Sequence, residues 1–136
     1  MEISGINHIN IEVTQNKLDE VVAFYQDILG LTPGPRAVSR RAGAWLYNHG
    51  NAIIHISVVE TPPYTGVDTV FNHVALTCSN IDACLEILNH NNINHRIEHR
   101  SPPDMTLVIC HDPAGIKIEL NFLGEKPSTQ IAEHIG

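Results

Sequence analysis

Basic side chains are scarce in this 136-residue chain: Lys and Arg number 8 against 15 Asp and Glu, a formal charge of −7, and no basic run occurs. Nucleic acid and anionic membranes are held by clustered cations, so neither is an expected partner. Cysteine is scarce too. Cys78, Cys84 and Cys110 form no CxxC pair, and their odd number argues against a disulfide framework and for buried, inert thiols in a reducing compartment. No apolar run approaches the ~20 residues that span a bilayer, and Met1-Glu2-Ile3-Ser4 lacks the positive and apolar regions of a secretion signal. The expected address is the cytoplasm. What is present, 43% hydrophobic residues in one domain's length, suffices for an ordinary core.

The pattern is organised around residues 110–122. Asp112-Pro113-Ala114-Gly115 is turn chemistry, since Pro presets φ and Gly tolerates positive φ. After it Ile116, Ile118, Leu120 and Phe122 alternate with Lys117, Glu119 and Asn121, predicting a strand with one apolar face and Glu119 on the polar one. Residues 48–58 repeat that pattern, with His55 where Glu119 stands. Residues 6–13 also alternate, setting Asn7, Ile9, Ile11 and Val13 against Ile6, His8, Asn10 and Glu12. Residues 71–78 alternate in the same phase and put His73 where His8 was.

A helix is expected after each of these strands. In the first, Asn16 is the candidate N-cap, Leu18, Val21, Val22, Tyr25, Ile28 and Leu29 form the buried stripe, and Gly30 is the stop. In the second, Asn80 caps, Ile81, Cys84, Leu85 and Leu88 form the stripe, and Asn91-Asn92 ends it. Pro33 and Pro35 break the chain before short strands at 36–41, 44–48 and 52–59, and the second copy has strands at 94–99 and 105–110 before the last. The order β-α-β-β-β therefore occurs twice, in modules 5–60 and 70–123 joined by a linker at 61–69. Within the repeat, His8 to His73 is 65 positions and His55 to Glu119 is 64. The class is α+β: two tandem βαβββ modules building a cupped mixed sheet in a single 1–136 domain. A short helix near 129–134 or a frayed tail follows.

His8, His55, His73 and Glu119 thus occupy the middle of polar strand faces at equivalent positions of two modules. Neutral imidazole and carboxylate are ligands for Zn²⁺, Ni²⁺, Fe²⁺, Co²⁺ and Mn²⁺, so one divalent metal ion is the expected cofactor. His49 and His111 read as turn or rim residues, and His90, His95, His99 and His134 as solvated. Arg36, Arg40 and Arg41 either line the mouth for an acidic substrate or protect an edge. Trp45 and Tyr47 share a face and either wall the pocket or pack the sheet.

Four motifs carry a resemblance. They are Gly5-Ile6-Asn7-His8-Ile9, Phe24-Tyr25-Gln26-Asp27-Ile28-Leu29-Gly30-Leu31, Phe71-Asn72-His73-Val74-Ala75 and Asp112-Pro113-Ala114-Gly115-Ile116-Lys117-Ile118-Glu119-Leu120. With them the chain resembles the vicinal oxygen chelate superfamily, which groups glyoxalase I, methylmalonyl-CoA epimerase, extradiol dioxygenases, fosfomycin-resistance enzymes and bleomycin-resistance proteins. The resemblance implies paired modules around a metal whose open positions chelate neighbouring substrate oxygens, with His8, His73 and Glu119 as ligands. His55 falls at the fourth ligand position, where glyoxalase I and the epimerase carry Glu or Gln, so it is expected as a ligand or a base. Glu119 is then the one evident carboxylate base.

The resemblance implies a metal-dependent glyoxalase-like lyase or isomerase acting on a small α-oxo or α-hydroxy carbonyl compound. An extradiol Fe²⁺ dioxygenase is the alternative, and a bleomycin-resistance-type binding module the non-enzyme one; no basic, Ser-rich loop supports a fosfomycin transferase. Because each module leaves sheet edges and half a cup, a homodimer is expected, with the cup built within one chain or from two. Light scattering at micromolar concentration should give twice the chain mass, and a monomer would remove the shared-cup arrangement.

Overall fold

A computed structural model describes residues 1–61 and 71–128. The expected linker at 61–69, beyond Thr61, and the expected tail helix at 129–134 lie outside the described residues. The chain divides into two compact units, residues 1–66 and 67–136, each built on a four-stranded mixed sheet.

In the first unit the sheet order is β1 (Ile9–Val13), β4 (Asn51–Val58), β3 (Gly43–Asn48) and β2 (Thr32–Gly34), with β1 parallel to β4 and the other pairs antiparallel. Ile11, Val13, Leu46, Ile54 and Ile56 are buried, whereas Asn10 and Glu12 are exposed, as the alternation requires. Two strand expectations change. No strand forms at 36–41; the edge strand lies earlier and contains Pro33, which a sheet tolerates only where a missing N–H faces no partner. And β1 starts at Ile9, so Asn7 does not share the apolar face.

The first helix is also less regular than its pattern. Gln15–Lys17 is a 3₁₀ turn, α1 (Leu18–Ala23) follows, and Phe24–Ile28 is a π turn. Asn16 does not cap; its Oδ1 accepts from the Thr14 hydroxyl at 2.5 Å. Phe24 and Tyr25, at the start of the π turn, are both buried, so Phe24 joins the core although it lies off the predicted stripe.

The second unit repeats the plan: β5 (Val74–Cys78), α2 (Ile81–His90), β6 (His95–Arg100), β7 (Met105–His111) and β8 (Lys117–Leu123), in sheet order β5-β8-β7-β6. Asn80 caps α2 as expected, its Oδ1 accepting from the Ala83 N–H at 3.3 Å. Glu125 adds a second cap, taking the N–H groups of Asn80 and Ile81 at 3.1 and 2.8 Å. Among the described residues no helix is long and apolar enough to cross a membrane.

The hairpin turns differ between units. In the first, His49 and Gly50 at φ 48° and 80° make a tight two-residue connection. In the second, Asp112 is 4% exposed and its Oδ1 accepts from the N–H groups of Ala114 and Ile116 at 2.9 and 2.8 Å. Replacing it strands two donors, so Asp112→Ala should lower unfolding free energy by about 2 kcal/mol in a denaturant titration. A loss under about 0.5 kcal/mol would show that water replaces the carboxylate.

Candidate metal centre

In the first unit, Asn10 and Trp45 flank His55 in register, so the row Asn10–His55–Trp45 crosses the polar face. His8 stands one residue ahead of β1. The His55 ring lies between two others: its centroid is 3.7 Å from that of His8 at 12° between planes, and 4.0 Å from that of Trp45 at 10°. His55 Nε2–H donates to the Ala52 carbonyl at 3.1 Å, which leaves Nδ1 as the ring's acceptor. Desolvation first, then the charge of His8 and more weakly that of Arg36, hold the His55 pKa below 6.5, against the Ala52 hydrogen bond. Asn10 and Ser57, the strand neighbours best placed to hold His55, bond to each other instead, Ser57 Oγ donating to Asn10 Oδ1 at 2.9 Å.

Imidazole nitrogens bind metal in the ring plane. The near-parallel rings of His8 and His55 therefore do not aim two lone pairs at one ion, and in this arrangement His55 is the stacking neighbour of a ligand candidate. His8 itself is prepared for ligation. Its Nδ1–H donates to Asn7 Oδ1 at 2.8 Å, so Nε2 carries the lone pair. An open depression of about 750 Å³ is lined here by Ile6, Asn7, His8, Trp45, Ala52 and His55, among others.

The second unit carries the same device. His73 Nδ1–H donates to Asn72 Oδ1 at 2.9 Å, again freeing Nε2, which lies 3.7 Å from Glu119 Oε2. That is too long for a hydrogen bond. Two donors each about 2.1 Å from one ion at the tetrahedral angle lie roughly 3.4 Å apart, so the pair fits a divalent metal after a small adjustment. Glu119 is flanked in register by Ala75 and Ile109, the equivalents of Asn10 and Trp45. Among the described residues no group of three His, Cys, Asp or Glu side chains comes together that could hold a metal ion.

The remaining histidines stay apart from these pairs. His49 sits in its turn, His111 and His90 are exposed, His99 pairs with Asp104 at 2.9 Å, and His95 Nδ1–H bonds the Ile93 carbonyl at 2.8 Å; His134 lies outside the described residues. Arg41 pairs with Glu12 at 3.4 Å. Cys110 is buried and Cys78 and Cys84 half-buried. Burial, with its cysteine neighbours adding, pushes the Cys84 thiol up to about 12, and burial, with Asp112 adding, pushes Cys110 up to about 11, so both are protonated and unreactive. The repeated Asn-His dipeptide was the readable signal for the tautomer control, hidden because Asn7 and Asn72 fit the apolar phase of the alternation.

A family model for the Glyoxalase/Bleomycin resistance protein/Dioxygenase superfamily matches residues 5–120. Among solved structures, a protein assigned to the glyoxalase family from Bacillus anthracis is 25% identical, with TM-score 0.74 over 90% of this chain and 98% of that one. A mutant of the fosfomycin resistance protein FosX from Listeria monocytogenes, complexed with Mn(II) and 1S,2S-dihydroxypropylphosphonic acid, is 17% identical, with TM-score 0.69 over 96% and 98%. Lactoylglutathione lyase from Agrobacterium tumefaciens is 15% identical, with TM-score 0.63 over 89% and 95%. No curated protein sequence matches the chain.

The hydrogen bonds assign tautomers that ¹⁵N NMR of metal-free protein at neutral pH can read. His8 and His73 should show a protonated Nδ1 and His55 a protonated Nε2, with His55 remaining neutral to lower pH than an unperturbed histidine. The opposite tautomer at His8 and His73 would remove the preparation of Nε2.

Proposed function

Because the chain belongs to the glyoxalase/bleomycin resistance protein/dioxygenase superfamily, we propose that it is a metal-dependent lyase or isomerase acting on a small compound with neighbouring oxygens, such as an α-oxo or α-hydroxy carbonyl compound. The observation that carries this is the matched preparation of two histidines, each with Nδ1–H held by the preceding asparagine and Nε2 free, one of them beside Glu119. The ligands are His8, His73 and Glu119. FosX, with Mn(II) and a vicinal diol phosphonate, shows that this fold accommodates such a pairing of ion and ligand.

A divalent ion bound there supplies Lewis acidity toward the substrate's neighbouring oxygens, or, if it is iron(II), a redox partner for dioxygen. The chain's own contributions are proton handling and placement. Glu119, part-buried beside His73, is the carboxylate available as a base. His55, clamped between His8 and Trp45 with Nε2–H committed to Ala52, offers Nδ1 as a second acceptor in a fixed plane. Trp45 and Ile6 give the open depression apolar lining.

One feature favours the dioxygenase as a second reading. With His55 stacked on His8, the donors reduce to two imidazoles and a carboxylate, the set that non-haem Fe(II) oxygenases use. Metal identity separates the two. We place the enzyme in the cytoplasm as a homodimer.

Elemental analysis tests the ligand set. His73→Ala and Glu119→Ala should lose the metal that wild type carries, and His55→Ala should keep it; wild-type content in the first two would refute the centre. Asn72→Ala, which frees the His73 ring without removing a ligand, should weaken metal binding by about 10 to 100-fold. Unchanged affinity would show that the asparagine has no part in it.

A further inference from the structure

Arg36 is a cation that the fold sets on the candidate site's face, with no carboxylate partner among the described residues. It lies in the segment between β2 and β3, which closes into a loop: Arg36 Nη2 donates to the Arg41 carbonyl at 3.2 Å, and Tyr47 Oη donates to the Pro35 carbonyl at 2.6 Å. The loop brings the guanidinium over Gly43. A Cβ at Gly43, whose φ is 156°, would stand 2.0 Å from the Ile56 carbonyl oxygen, so the strand pairing itself requires glycine here, and 3.1 Å from Arg36 Nη2, which places the guanidinium over this position. Gly43 pairs with Ser57, one row along from the Trp45–His55 pair and on the same face.

The other cations of this unit are accounted for differently. Lys17 pairs with Glu20 at 3.0 Å, Arg41 pairs with Glu12, and Arg40 is exposed. Arg36 is part-buried, and among the described residues no carboxylate lies within ion-pair distance of it. Its Nε is buried without any hydrogen-bond partner. A guanidinium has five N–H donors, and a buried charged donor without an acceptor is costly. In a chain of net charge −7 that carboxylates could readily neutralise, such a group next to the ring stack is explained by an acceptor arriving from outside.

We propose that Arg36 is the anion anchor of this site, binding a carboxylate or phosphonate group of the substrate through the paired donors of its guanidinium. The substrate is therefore an acid bearing neighbouring oxygens. This deepens the metal-centre reading and rests on it for the location of the chemistry. The binding step does not need the ion.

The test follows the Arg36 Nε–H resonance of the ¹⁵N-labelled full chain, as purified and again after chelation, during titration with methylphosphonate and, separately, acetate. The resonance should move saturably with at least one of them, the stronger identifying the oxyanion, and propane-1,2-diol should leave it in place. Arg36→Lys, which keeps charge but loses the fork, should weaken that binding by at least about tenfold, with Arg40→Ala unchanged. A resonance that neither anion moves, or equal affinity in Arg36→Lys, overturns the proposal. Because the chelated sample reports anion binding without metal, failure here leaves the metal centre standing. A metal-free wild type would sink that centre and leave this titration readable.

Discussion

Register between the parallel first and last strands of each unit is the constraint on which the proposed centre depends. Asn10 faces His55 and Ala75 faces Glu119, the same pairing at positions 65 and 64 residues apart. A one-residue slip would exchange faces, driving His55 into the layer of Ile54 and Ile56, or Glu119 into that of Ile118 and Leu120. Burying an unpaired carboxylate there costs far more than the slip could recover, so the apolar faces that hold each sheet to its helix also fix which side chains are presented. Stability and site are one pattern read from two sides.

On that common frame the units diverge in what surrounds the ligand row. Trp45 in the first becomes Ile109 in the second, and the stacked rings of the first are replaced by the His73–Glu119 pair. The first unit carries Trp45 and the Arg36 guanidinium; the second carries the Glu119 carboxylate. Both keep the Asn-His device, which acts before any ion arrives by choosing the tautomer.

Much of this was legible in the residues. The alternation and the shared motifs foretold two βαβββ units and the strand positions of His55 and Glu119, because period-2 patterning is dictated by a buried face. The irregular parts were not legible. Pro33 reads as a breaker and serves as an edge residue, because an edge strand has no partner for the N–H that proline lacks. The π turn at Phe24–Ile28 breaks the 3.6 period on which the helix expectation rested. His55 was placed on its face correctly, but its orientation is set by two neighbouring rings and by the Ala52 carbonyl, tertiary contacts that spacing along one strand does not encode.

The central proposal is that His8, His73 and Glu119 hold one divalent ion, with His55 stacked on His8 and not a ligand. Anomalous diffraction at the metal edge from crystals of the metal-loaded protein tests it most directly. The account predicts a single peak per site bonded to His8 Nε2, His73 Nε2 and a Glu119 carboxylate oxygen. A peak bonded to His55 Nδ1, or one that lacks His8, His73 or Glu119, would contradict it.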